Sequence, residues 1–383
     1  MTSKSFNKNS ADHLNANIFL DAQGGVSISR YDTVKYPQIL KMVERMHSLF
    51  WIPEEIDLAK DRRDFASMSP TEQHIFTSNL KRQTMLDSIQ GRSPNTMFLP
   101  IVSNPETEVG IEAVGFFETI HSKSYTHIIR NVYNDPSAVF DEIKNIPEIM
   151  NCAEDISRYY DELHKWNCMM DLGLPGYNRY EHKKAVWAAL YAWNALEALR
   201  FYVSFACSWA FGKLKKMVGN ASIIQLICRD EEEHRMFTQQ LIKLLPKEDP
   251  EFAQIQLEMV GEVTELYISV IEQEKDWAKY LFKTGSMIGL NENILCEYVD
   301  WLGVKRMGAV GLVSPMKGHT GSNPLPWTES WINSKATQTA NQESENVKYL
   351  IGAIGQDLDQ TDFDRMFDFE KTLRRHKNKL QRQ

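Results

Sequence analysis

Two Glu-x-x-His pairs, Glu118-Thr-Ile-His121 and Glu231-Glu-Glu-His234, each follow a lone carboxylate at a similar distance. Asp87 lies 31 residues before Glu118, and Glu197 lies 34 before Glu231. A glutamate and a histidine three apart share one helix face. If each lone carboxylate has a helix of its own, four helices aim ligands at one centre. Each Glu-x-x-His pair can then grip one metal ion and share the other. Ligands so far apart in the chain meet only if the helices pack side by side, so the pattern demands a bundle.

The same ligand set, a carboxylate on two helices and Glu-x-x-His on two others, marks ferritin-like di-iron and di-manganese bundles. A single Glu-x-x-His carries little weight, because Glu44-Arg-Met-His47 is a third copy and Asp161-Glu-Leu-His164 a near copy. Glu44 has no helical carboxylate about thirty residues upstream, and its helix should end at Trp51-Ile-Pro53. Asp161 and His164 lie in a polar stretch that reads as a solvated helix face. Only the duplicated arrangement makes a complete site. Asp87, Glu118, Glu197 and Glu231 with two neutral histidines sum to −4, the charge that two divalent ions balance. Carboxylate oxygen with imidazole suits iron or manganese. The five cysteines form no Cys-x-x-Cys, so they are expected as buried thiols in a reducing compartment.

Long apolar-periodic stretches are expected as helices over about 36–50, 71–90, 106–131, 149–171, 180–211, 220–245, 251–283 and 292–310. The fold class is therefore all-α, a ferritin-like bundle with additional helices over 34–332. Residues 1–33 read as an irregular segment and 333–383 as a flexible tail. In that tail Ser, Thr, Asn and Gln dominate up to Asn346, acids follow, and the residues after Glu370 include no acid. Too little apolar surface is present for it to fold alone. The stretch from Ala185 to Phe211 is long enough to span a bilayer. Glu197 and Arg200 near its middle favour a buried bundle helix instead, so no membrane association is expected. The net charge of −8 argues against a nucleic-acid surface, and the polar N-terminus lacks the apolar core of a signal peptide. A cytoplasmic protein is expected.

Tyr125 lies four residues after His121 and seven after Glu118, on the same helix face. Beside a dimetal centre, a phenol there could be oxidised to a radical. Phe201, Phe205 and Ile227 are spaced to accompany the ligands, as core residues or as a shield.

Four blocks carry a resemblance to a known family: Leu86-Asp-Ser-Ile-Gln-Gly-Arg92, the run from Glu118 to Asn131, the run from Asn194 to Cys207, and Gly285-Ser-Met-Ile-Gly-Leu-Asn291. The chain resembles the radical-generating small subunit of class I ribonucleotide reductase from about Arg30 to Tyr349. The resemblance implies two irons per chain, with manganese as an alternative, and O2 for activation. Asp87, Glu118, His121, Glu197, Glu231 and His234 would be the ligands, with Glu118 and Glu231 able to bridge. Tyr125 would carry the radical. Trp51 and Asp230 would form a transfer route through His121, and Tyr349 would relay oxidising equivalents from the tail. A homodimer docked through its C-terminal tail to a large catalytic subunit is implied. A stand-alone di-iron oxygenase and a metal-storage protein are the rival readings.

Departures from the family pattern stand at Glu232 and Glu233, expected as solvated or paired with basic residues. Val114 and Phe117 replace the Trp and Ser of close relatives. The connection from Gly173 to Tyr180 is short, and the tail is extended by a basic stretch after Phe369.

Overall fold

The computed structural model describes residues 7–8, 12–316 and 321–332. Among these residues the chain is helical, without a β-strand. Two isolated bridges, Phe19 with Val102 and Met287 with Leu290, are the extended pairings among the described residues. The helices are α1 (Pro37–Ser48), α2 (Ala59–Ser67), α3 (Pro70–Gln90), α4 (Ser93–Phe98), α5 (Pro105–Val132), α6 (Pro136–Asp141) and α7 (Pro147–Leu172). They continue as α8 (Arg179–Ala195), α9 (Tyr202–Lys213), α10 (Val218–Glu248), α11 (Pro250–Glu258), α12 (Val260–Phe282), α13 (Glu292–Ala309) and α14 (Glu329–Ile332).

Local chemistry sets these boundaries. Proline opens α1, α3, α5, α6, α7 and α11, where its missing N–H costs nothing. Ser69 and Glu72 close a capping box at the start of α3, and Asn104 accepts from the Thr107 N–H at the start of α5. Gly173 ends α7 at φ +61°, a conformation that favours glycine.

Three expected boundaries differ. The run 180–211 is not one α-helix: a wide π-turn, Leu196–Arg200, separates α8 from α9. The run 251–283 divides at Met259 into α11 and α12. Helix α10 runs on past Leu245 through Pro246 to Glu248. The short helices α2, α4 and α6 have too few turns to show a period.

Helix α5 packs on α1, α3 and α10; α10 also packs on α8 and α9, and α3 on α7 and α9. The layer α8–π-turn–α9 is buried almost throughout, including Trp187, Trp193, Phe201, Phe205 and Trp209. The expectation of a buried rather than a membrane helix for this run agrees with that burial. Among the described residues no helix is long and apolar enough to cross a membrane. The described residues before α1 are irregular but pinned. Leu20 donates its N–H to the Ile101 carbonyl at 2.9 Å, and Ile18 and Phe19 are fully buried.

Candidate metal centre

Four elements converge: α3 brings Asp87, α5 brings Glu118, His121 and Tyr125, the π-turn brings Glu197, and α10 brings Glu231 and His234. All seven side chains are completely buried. The potential ligands form two groups, Asp87–Glu118–His121–Glu231 and Glu118–Glu197–Glu231–His234. Within each group the ligand atoms lie within 4.8 Å of one another. Glu118 and Glu231 belong to both groups, so they stand where two ions would share a ligand. His121 Nδ1 lies 3.2 Å from Glu231 and 3.7 Å from Glu118. His234 Nδ1 lies 3.2 Å from Glu118, 3.5 Å from Glu231 and 4.0 Å from Glu197.

These residues fit a pair of cations. Both oxygens of Asp87, Glu118 and Glu231, one oxygen of Glu197, and Nδ1 of each histidine are buried without a hydrogen-bond partner. So many orphaned acceptors in a dry interior would be costly unless a positive charge sat among them. The protonation behaviour agrees. Burial, then the neighbouring carboxylates, pushes Asp87 and Glu197 well above the carboxylate range. Burial opposes the charge on His234, but the facing carboxylates of Glu118 and Glu231 prevail and raise it to about 9. His121 is raised well above its ordinary value against the same opposition from burial, through Asp230, Glu118 and Glu231. A metal pair entering this cluster would therefore displace protons from it.

Beyond His121 the contacts continue outward. Asp230 faces His121 Nε2 at 3.2 Å through the oxygen that accepts the Trp51 indole N–H at 2.7 Å. Arg229 donates to the other Asp230 oxygen at 3.0 and 3.1 Å and to the Leu49 carbonyl at 2.6 Å. Burial opposes the charge on Asp230, yet Arg229, His121 and Trp51 hold it below the usual range. Trp51, Asp230 and His121 therefore form one connected line. Tyr349 lies outside the described residues.

The Tyr125 hydroxyl is buried without a conventional hydrogen-bond partner. Burial, then the charges of Asp87 and Glu231, raises its ionisation well above that of a free phenol. It is a neutral phenol, so oxidation has to remove a proton together with the electron. Phe201, Phe205 and Ile227 are fully buried.

The extra acids are not solvated. Glu232 hydrogen-bonds Tyr202, Arg306 and Arg235, and Glu233 accepts from Arg45 Nε at 2.6 Å. Of the two alternatives expected, solvation or pairing with basic residues, the pairing is the one present, because α10 is covered on both flanks. Glu44, His47, Asp161 and His164 are exposed and belong to neither ligand group. Val114 is buried and Phe117 packs its ring 6.3 Å from that of His234. Val114 has no side-chain donor. The indole that bonds Glu197 is instead that of Trp193, at 2.8 Å, beside the Gln90 amide at 2.6 Å. Neither Gln90 nor Trp193 was expected from the ligand pattern. A Trp four residues before a ligand was the available signal for the second.

Fold and site together define a helical-bundle protein with a buried carboxylate and histidine cluster that fits two metal ions. The chain matches the family of the ribonucleotide reductase small chain over residues 29–324. It is 47% identical over 378 residues to the ribonucleoside-diphosphate reductase subunit beta of Haemophilus influenzae, covering 95% of this chain and 99% of the relative. Among solved structures it is similar to the ribonucleotide reductase R2 subunit from Clostridium botulinum (TM-score 0.75, 23% identity, 87% of this chain and 98% of that one). It is also similar to the dimanganese(II)-NrdF of Streptococcus sanguinis (TM-score 0.66, 20% identity, 80% and 99%). The chain belongs to the ribonucleotide reductase small chain family. These are the subunits that generate and store a tyrosyl radical for a large subunit, which reduces ribonucleoside diphosphates to deoxyribonucleotides. Membership removes the stand-alone oxygenase and the storage protein.

Proposed function

We propose that Asp87, Glu118, His121, Glu197, Glu231 and His234 hold two iron ions, and that Tyr125 is the residue oxidised. The observation that carries this reading is the sealed cluster of orphaned acceptors beside a buried phenol. Bound iron with O2 would supply an oxidant strong enough to take one electron from that phenol. Manganese is the alternative, as named for the Streptococcus sanguinis protein. Tyr125 loses its electron and its hydroxyl proton together, and becomes a neutral radical. In the metal-loaded protein, with its own proton displaced, the Asp87 carboxylate would be the acceptor of that proton, since its charge is the foremost of those acting on the phenol. Complete burial keeps solvent and reductants from the oxidised ring.

Trp51, Asp230 and His121 then form the inner part of the transfer route, and Tyr349 the outer part. Apolar groups near Tyr349, followed by Phe363, Met366, Phe367 and Phe369 among acids, suit a tail that orders against the large subunit. A homodimer is the expected assembly. Phe50 and Phe116, each about half exposed and stacked at 6.0 Å, offer apolar surface that a second copy would cover. The cytoplasm, where thiols stay reduced, is the compartment this reading requires.

Metal-free protein given Fe(II) and O2 should develop a tyrosyl signal in electron paramagnetic resonance. Tyr125→Phe should keep its iron and lose the signal. An unchanged signal in that variant moves the radical elsewhere.

A further inference from the structure

Of the eight carboxylate oxygens in the cluster, one is bonded to protein N–H groups, and by two of them. Gln90 Nε2 and Trp193 Nε1 both donate to Glu197 Oε1, at 2.6 and 2.8 Å. Tyr160 donates to the Gln90 carbonyl at 3.0 Å, which fixes the amide with its N–H toward the glutamate. The Trp193 ring is held between Phe98 and Phe237, with centroids 5.3 and 6.1 Å away. Glu197 Oε2 has no hydrogen-bond partner and faces His234. Asp87, at the other end of the cluster, has both oxygens without a partner.

A carboxylate oxygen has two lone-pair sites. Two N–H donors fill both, so Oε1 has none left for a metal. We propose that Trp193 and Gln90 are positioning residues that restrict Glu197 to a single metal-binding oxygen, Oε2. The two metal positions are therefore unequal. The one at Asp87 and His121 is offered both oxygens of its terminal carboxylate, and the one at Glu197 and His234 is offered one. Trp193 stands four residues before Glu197, the spacing that brings two side chains together on one helix face. This proposal rests on the dimetal reading of the cluster.

Cobalt(II) titrated into the metal-free full-length protein tests it, since visible bands report coordination without any turnover. The unaltered protein should bind two ions, with unequal affinities. Trp193→Phe keeps an aromatic ring between Phe98 and Phe237 but deletes the N–H. It should weaken one of the two ions by about 10- to 100-fold, as removal of an outer-sphere donor does. The bands of that ion should change, while the other ion keeps its affinity. Gln90→Leu should act in the same direction, and it decides the matter if Trp193→Phe does not fold. Phe98→Leu disturbs the packing but spares the N–H, so it should leave both ions and the spectrum unaltered. Unchanged affinities and bands in Trp193→Phe and Gln90→Leu overturn the proposal. So does a Phe98→Leu spectrum that matches the Trp193→Phe spectrum. If the unaltered protein binds fewer than two ions, it is the dimetal reading that fails.

Discussion

At Glu232 an idealised helix is a misleading guide. Turning 100° per residue takes Glu232 and Glu233 off the Glu231–His234 face, which leaves open whether they are solvated or paired with basic residues. Helix α10 is enclosed on both flanks. Arg306 from α13 and Tyr202 from α9 close on Glu232, and Arg45 from α1 closes on Glu233. Burial opposes the charge on Glu232, but Arg306 and Arg235 hold its carboxyl down to about 2. Glu232→Ala should therefore cost about 3 kcal/mol, because it leaves buried guanidinium groups without their partner. The Arg45 partner of Glu233 is itself well exposed, so Glu233→Ala should cost only about 1 kcal/mol. Denaturant midpoints of the two variants compare these values. Equal, negligible losses would restore the solvated reading. The depressed Glu232 group also has a pH signature. A carboxyl lowered from 4.5 to about 2 contributes stability that is present above 4.5 and lost as pH falls towards 2. The acid limb of unfolding should be shallower in Glu232→Ala than in the unaltered protein.

The six proposed ligands were legible because helical spacing and charge count act locally, within one or two turns. What was not legible is set by contacts between elements. The π-turn Leu196–Arg200 inserts extra backbone into a run whose composition is that of an ordinary apolar helix. Its stabilising partners, Asp155 and Cys152 on α7 and Gln273 on α12, lie far away in sequence. Arg200 donates to all three, at 2.8, 2.9 and 2.5 Å, and so ties the turn to two neighbouring helices. Replacing Arg200 by Leu should let the turn relax and displace Glu197 from the other ligands. Metal content, measured by elemental analysis, should fall from about two ions per chain toward one, as expected when one four-ligand group loses its terminal carboxylate. Two ions retained in this variant would show that the turn holds its shape without Arg200. The break between α11 and α12 at Met259 was similarly hidden, since its one mark is Gly261, and a lone glycine is tolerated inside a helical pattern.

For the whole molecule, the six proposed ligands, Tyr125, Trp51 and Asp230 belong to one helical body, whereas Tyr349 lies outside the described residues. A chain cut after Ala340 should still load metal and form the radical. Mixed with its large subunit, it should bind weakly and support no nucleotide reduction. Tyr349→Phe should retain binding and lose turnover, because the ring survives and the oxidisable hydroxyl does not. Normal turnover by the truncated chain would remove the relay role from Tyr349.

The location of the metals tests the account most directly. Anomalous scattering from crystals of the metal-loaded protein should show two peaks per chain. One should lie among Asp87, Glu118, His121 and Glu231, and the other among Glu118, Glu197, Glu231 and His234. A single peak, or peaks ligated by other residues, would contradict it.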